Sequence, residues 1–302
     1  MESPESHVLN VGAIASPVGV ARLLQAAFGC TTFSLVAHRA GFNEAPGTFC
    51  IFVWCFCFAV TVFIIACELT RVHGCLHILS WGNFTAAFAM LATLMSVTAA
   101  IIYSLYFVQL SCYSIGCEVR DFRIAASVFA SLLFIVYLVE VFLIRAKPGQ
   151  ASSYMATISG LLKIIQAFVA CIIFGALVSE SQYKRYVATQ WCVAVYSFCF
   201  VVTVIVIALN VTGKRMTLHC PFERLVVIYT VLAVLMYMSA AVIWPVFCFD
   251  SKYGSVRRPQ QCSWGRCAWD SQLVITVFTH LNLLLYIADL VCSQRLRFVN
   301  QP

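Results

Sequence analysis

Eight apolar runs, each about 20 residues long, leave this chain few ways to fold. They fall at 18–37, 49–67, 83–108, 122–144, 155–178, 191–209, 225–248 and 271–291. A helix of that length matches the hydrocarbon thickness of a bilayer. Inside lipid each backbone amide needs a partner, and a helix supplies it within its own segment. Of the 302 residues, 62% are hydrophobic and 10% charged, against about 25% charged in soluble domains. No water-soluble core absorbs so much apolar surface, and no link between the runs is long enough for a soluble domain. The expected fold is an all-α membrane protein with eight transmembrane helices.

The eight runs are two sets of four. A shift of 141 brings Gly19, Arg22, Gln25, Cys30 and Phe33 onto Gly160, Lys163, Gln166, Cys171 and Phe174. A shift of 142 lays "FCFAVTVFIIA" (56–66) on "FCFVVTVIVIA" (198–208), and 141 again lays "ATLMSVTAAIIY" (92–103) on "AVLMYMSAAVIW" (233–244). At 149, Tyr137 and Glu140 meet Tyr286 and Asp289. The register changes only in loops, where insertions are tolerated. An even number of spans per unit makes the repeats parallel, and the polar link "RAKPGQASS" (145–153) joins them.

Arg22 sits about one turn inside the first span and Glu140 about one turn before the end of the fourth. In a four-helix unit those two ends share one membrane face, so opposite charges meet at similar depth. Lys163 and Asp289 repeat the arrangement, and Gln25 and Gln166 lie one turn deeper, able to bond across helices. A charge in hydrocarbon costs a few kcal/mol and is a functional suspect for that reason. Two readings are open: an ion or proton pathway, or a clasp tying the first helix of each unit to the fourth. A pathway needs further charges in the outer halves of the helices. Those halves have none, so the clasp is expected. Ala26/Cys30 and Ala167/Cys171 add small-residue spacing that permits close helix packing.

The amino terminus has no Lys or Arg before Arg22 and no signal-type segment, so the termini are expected in the cytosol. Basic residues divide almost evenly between the two faces and barely inform the positive-inside rule. The cysteines speak more clearly. "CYSIGC" (Cys112, Cys117) and "CSWGRC" (Cys262, Cys267) occupy equivalent outer loops with the same spacing. On an oxidising face each pair closes a small disulfide loop; on a reducing face the four would be free thiols or zinc ligands. Cys67, Cys75, Cys220 and Cys292 lie near the inner boundary, where acylated or unmodified thiols are both open. The sequons at Asn83 and Asn210 fall on the inner side and are expected to go unused. Trp81, Trp191, Tyr103 and Trp244 are expected in the interfacial aromatic belt.

Catalytic motifs are missing: no nucleophile elbow, metalloprotease helix, phosphate loop or dinucleotide fingerprint is present. His73, Cys75, His77, His219 and Cys220 read as interfacial loop residues rather than metal ligands. The net charge of +7 is spread over both faces without the basic, aromatic-laced patch of a nucleic-acid site. The expectation is a non-enzyme with no cofactor, no metal and no nucleic-acid partner.

Longer phrases carry a resemblance. "SPVGVARLLQAAFGCTTFSLVAHR", "LSWGNFTAAFAMLATL", "SSYMATISGLLKIIQAFVACIIFGAL", "YVATQWCVAVYSFCF" and "SAAVIWPVFCFD" resemble the myeloid-associated differentiation marker family, whose members carry tandem MARVEL domains. The resemblance covers essentially the whole chain. It implies two MARVEL four-helix domains, over 13–149 and 154–298, and no catalytic residue. It also implies association with cholesterol-rich membrane, trafficking and membrane apposition, with membrane lipids, membrane-protein partners or a second copy as the partners. The expected function is organisation of membrane microdomains or trafficking through helix–lipid and helix–partner packing. The alternative is a small-solute or proton transporter using the four buried charges, although only Pro245 interrupts a span.

Overall fold

The structure is a computed structural model that describes residues 10–40, 42, 45–74, 79–108, 117–146, 154–178, 182–213, 222–260 and 267–299. Eight long helices account for most of them: α1 Pro17–Leu35, α2 Ala45–Leu69, α3 Trp81–Phe107, α4 Cys117–Ala146, α5 Ile158–Val178, α6 Val187–Val211, α7 Phe222–Phe249 and α8 Ala268–Val299. All eight are long and apolar enough to cross a membrane, one for each run in the sequence. No strand occurs among the described residues. Pro245 does not break α7, which continues through it to Phe249. It sits about one turn from the helix end, where few backbone bonds depend on it.

The chain divides into two compact units, Met1–Ala156 and Thr157–Pro302. In the first, α1 packs on α2 and α4, and α3 packs on α2 and α4. Each helix touches its two sequence neighbours or, for α1 and α4, closes the ring. The second unit repeats this pattern with α5, α6, α7 and α8.

Local sequence sets the helix starts. Ser16 lies in extended backbone and accepts a bond from Gly19 N at 3.0 Å, with Pro17 at the first helical position. That satisfies one of the free amides at a helix start, and proline there loses no bond. Thr157, 141 positions on, accepts from Gly160 N at 3.3 Å and starts α5 in the same way. Gly19 is glycine for space: a Cβ there would lie 2.2 Å from Ala13 O, because a short helical turn, Val11–Ala15, folds against it. At the far end of α6, Gly213 takes φ 67°, a left-handed cap that glycine adopts without strain.

Each unit has its own core. Trp54, Tyr103, Leu133 and Tyr137 centre the first; Tyr196, Tyr237, Trp244 and Tyr286 centre the second. Alanines 86, 87, 89, 92, 99 and 100 are buried along α3, letting its neighbours approach closely as membrane helices require. Tyr103 and Trp244 are therefore core residues, fully buried, not members of an interfacial belt. Both helices extend beyond these positions, which sets the aromatic rings inside the bundle. Trp191 is exposed and can serve the belt. The small-residue pairs are not packed throughout within their own units. Cys30 and Cys171 are exposed, so that face of α1 and of α5 is open to lipid or to another helix rather than packed within its unit.

Candidate functional site: a buried polar clasp in each unit

In the first unit the start of α1 and the ends of α2 and α4 bring three charged groups together. Arg22, only 4% exposed, donates through Nε to Glu140 Oε1 at 2.6 Å. Its Nη1 lies 2.6 Å from Glu68 Oε2. Gln25 Nε2, one turn deeper on α1, donates to Glu140 Oε2 at 2.7 Å. Trp81 Nε1, at the start of α3, donates to Glu68 Oε1 at 3.1 Å. All four helices of the unit thus meet in one hydrogen-bonded knot. Arginine suits this place because its planar fork donates along two directions and stays charged.

Lys163 and Asp289 form the corresponding centre of the second unit. Lys163 Nζ lies 2.7 Å from Asp289 Oδ2, and both side chains are essentially fully buried. Nζ also donates to Thr230 Oγ1 on α7 at 3.3 Å and sits 5.1 and 5.4 Å above the rings of Tyr229 and Tyr286. Electron-rich ring faces attract a desolvated ammonium. Ser159 donates to Asp289 Oδ1 at 2.7 Å. Gln166 Nε2 donates to Leu285 O at 3.3 Å, with Asp289 Oδ2 at 3.4 Å. Every residue that the repeat singled out (Arg22, Gln25, Glu140, Lys163, Gln166, Asp289) lies in one of these two centres.

Sequence reasoning missed Glu68. The position 142 residues later is Asn210, whose Nδ2 donates to Val206 O at 2.7 Å. The repeat therefore gave no paired signal for the second carboxylate. It also missed a hydroxyl pair that the repeat does preserve. Thr61 Oγ1 and Tyr137 OH are 2.8 Å apart, and Tyr137 donates to Cys57 O at 3.2 Å. Thr203 Oγ1 and Tyr286 OH, at matching positions, are 2.9 Å apart. Tyr229, where the first unit has Phe88, adds a third hydroxyl 2.8 Å from Thr203 and 3.1 Å from Tyr286. The ring geometry is nearly the same in both units: Phe88–Tyr137 at 6.3 Å and 83°, Tyr229–Tyr286 at 6.3 Å and 84°.

The second unit extends its polar interior further. Asn282 Nδ2 donates to Tyr237 OH at 2.8 Å, and Thr279 Oγ1 lies 2.8 Å from Tyr196 OH. At the matching positions Leu133, Ala130, Ser96 and Trp54 fill the first unit. Beyond the threonine–tyrosine pair that both units share, the second unit thus adds rungs of buried hydroxyls and amides where the first has Leu133, Ala130 and Trp54, with Ser96 as the one hydroxyl among these four positions.

Cys117 and Cys267 are each disulfide-bonded. Cys112 and Cys262, the partners expected from the sequence, lie outside the described residues, as do Cys75, His77, His219 and Cys220. Cys67 is buried, which removes it from the acylation candidates near the inner boundary; Cys292 is partly exposed. Asn83 is engaged on both sides of its amide, donating to Ser80 Oγ at 3.0 Å and accepting from Met155 N at 3.0 Å. Asn210 is buried. Neither sequon presents a free amide. Among the described residues no group of three metal-ligating side chains comes together.

The MARVEL model, described as a membrane-associating domain, matches twice, at residues 13–143 and 154–292. The chain belongs to the MARVEL family. Within it, the chain is 68% identical over 301 residues to myeloid-associated differentiation marker-like protein 2 of Xenopus laevis, covering 100% of both chains. The human protein of that name is 67% identical, covering 99% of this chain and 98% of its own. Human myeloid-associated differentiation marker is 41% identical, covering 95% and 90%. No solved structure matches the chain significantly. The family explains the duplicated four-helix unit and makes this an integral, multi-pass membrane protein.

Proposed function

We propose that the protein is a non-enzymatic organiser of membrane, acting through the outer faces of two internally locked four-helix units. One observation carries this reading: the buried charges are consumed inside each unit, while the outer faces are apolar. Phe52, Leu105 and Phe142 of the first unit, and Val242 and Leu284 of the second, are all exposed. Soluble proteins rarely show such faces, and here they are solvated by acyl chains or by partner helices. The clasp keeps each unit from rearranging while that surface changes neighbours. Both termini and the clasp ends face the cytosol in this reading, and the disulfide loops face outward. Cholesterol-rich membrane, other membrane proteins or a second copy are the partners the surface suits.

The test is phase partitioning of the tagged full-length chain in giant vesicles drawn from the plasma membrane. Enrichment in the cholesterol-rich ordered phase, lost on cholesterol depletion, is expected. Uniform distribution together with proton or ion flux in proteoliposomes would overturn the proposal in favour of transport.

A further inference from the structure

The end of the second unit opposite its clasp holds a cavity of about 400 Å³. Its wall includes Arg185, Tyr186, Trp244, Lys252, Tyr253 and Gln272. Tyr186 OH donates to Tyr253 O at 3.2 Å and the two rings pack edge to face at 5.8 Å. That contact ties the segment before α6 to the segment after α7. It also gathers two cations: Arg185 lies over Tyr186 at 5.4 Å and Lys252 over Tyr253 at 5.3 Å. Neither belongs to an ion pair among the described residues, and no described carboxylate lines the cavity.

Gln272 supplies an independent pointer. It is only 8% exposed, yet its bonds among the described residues run through its backbone carbonyl, which accepts from Trp244 Nε1 and Thr276 Oγ1. Its side-chain amide is left for whatever enters the cavity it lines. The amide is reached from the cavity rather than sealed in the core, so a group entering there can use both its donor and its acceptor.

The first unit shows why the space exists. At positions matching Trp244, Cys248 and Gln272 it has Tyr103, Phe107 and Arg123. Phe107 stacks on Tyr103 at 4.9 Å, and Arg123 lies 5.7 Å above Phe107 while donating to its carbonyl at 3.2 Å. Exchanging a phenyl ring for the small Cys248 and a guanidinium for an amide opens the second unit where the first is packed.

We propose that this cavity binds an acidic sugar: one ring bearing a carboxylate, from a glycolipid headgroup or a soluble glycan. Two cations unpaired among the described residues recognise the carboxylate, and the Gln272 amide bonds a hydroxyl. Trp269, which lines the wall and is partly exposed, offers its ring to the C–H face of a sugar, with Trp244 buried behind it and Tyr253 stacked on Phe247 at 4.7 Å. Phosphate or sulfate alone would leave that ring unused. A concave wall that sets aromatic rings beside a few convergent polar groups is the general form of a small-ligand site.

Two tryptophans in the wall make fluorescence the readout. Full-length protein in zwitterionic nanodiscs is titrated with glucuronate, glucose and sulfate. Saturable change with glucuronate is expected, with glucose and sulfate weaker by about tenfold or more, the worth of a charge-assisted bond. Arg185→Gln with Lys252→Gln, both exposed side chains, should weaken glucuronate by about tenfold or more, with a thermal melt matching the parent. Cys248→Phe should abolish the response, and a thermal melt matching the parent shows that the unit is intact. A sialylated lipid in the disc competes with glucuronate if the source is membrane; a free sialylated oligosaccharide alone competes if it is soluble. No saturable response, an equal response to sulfate, or a response indifferent to the two cations would overturn the proposal.

Discussion

Arg22 Nη1 stands 2.6 Å from Glu68 Oε2 while its Nε holds Glu140, so the first unit places one cation between two carboxylates. Lys163 of the second unit has Asp289 as its carboxylate partner, with hydroxyls and ring faces for the rest. The repeat conserved the idea of the clasp and changed its composition.

That difference predicts unequal consequences. Glu140→Leu leaves Arg22 with Glu68, whose side chain is 22% exposed, and is expected to cost about 1–3 kcal/mol. Asp289→Leu strands a fully buried ammonium and should cost about 3–5 kcal/mol. Thermal unfolding in detergent ranks the two; a larger loss for Glu140→Leu would contradict the assignment.

The hydroxyl triangle in the second unit should behave as one element. Tyr286→Phe and Thr203→Val are each expected to cost about 0.5–1.5 kcal/mol, and the double variant clearly less than the sum. Additive losses in a double-mutant cycle would mean that the 2.9 Å contact contributes nothing.

Peptide mapping without reductant should return two short cross-linked loops, Cys112–Cys117 and Cys262–Cys267. Cross-links joining Cys117 to Cys267, or free thiols at Cys112 and Cys262 in protein from the cell surface, would refute that pairing.

Epitope tags at both termini should stain only after permeabilisation, and Asn210 should carry no glycan. Its amide is buried and bonded to Val206. Staining of either tag on intact cells would reverse the topology.

The eight spans and the six residues of the two clasps could be read from sequence because hydrophobic length and the repeat are both explicit there. Two like signals at one register, Arg22 and Lys163, outweigh either alone. Glu68 could not be read this way. It lies at the end of α2 with Asn210 as its counterpart, and only packing of α2 on α1 reveals its partner. Tyr103 and Trp244 were misplaced for a related reason: an aromatic near the end of an apolar run looks interfacial until the helix is seen to continue. Thr61–Tyr137 and Thr203–Tyr286 were visible in the alignment of the halves. Threonine and tyrosine in an apolar helix simply carry no charge to draw notice. The cavity at the end of the second unit opposite its clasp needed three elements together, which no periodicity encodes.

The most direct test of the account is a double-mutant cycle on Lys163 and Asp289, read by thermal unfolding of the full-length chain in detergent. Lys163→Met and Asp289→Leu each leave one charge unpaired among buried groups, whereas the double variant leaves neither. The clasp predicts that the double variant is more stable than either single one. Losses that simply add would contradict it, because two residues whose removal is additive do not hold each other in the membrane.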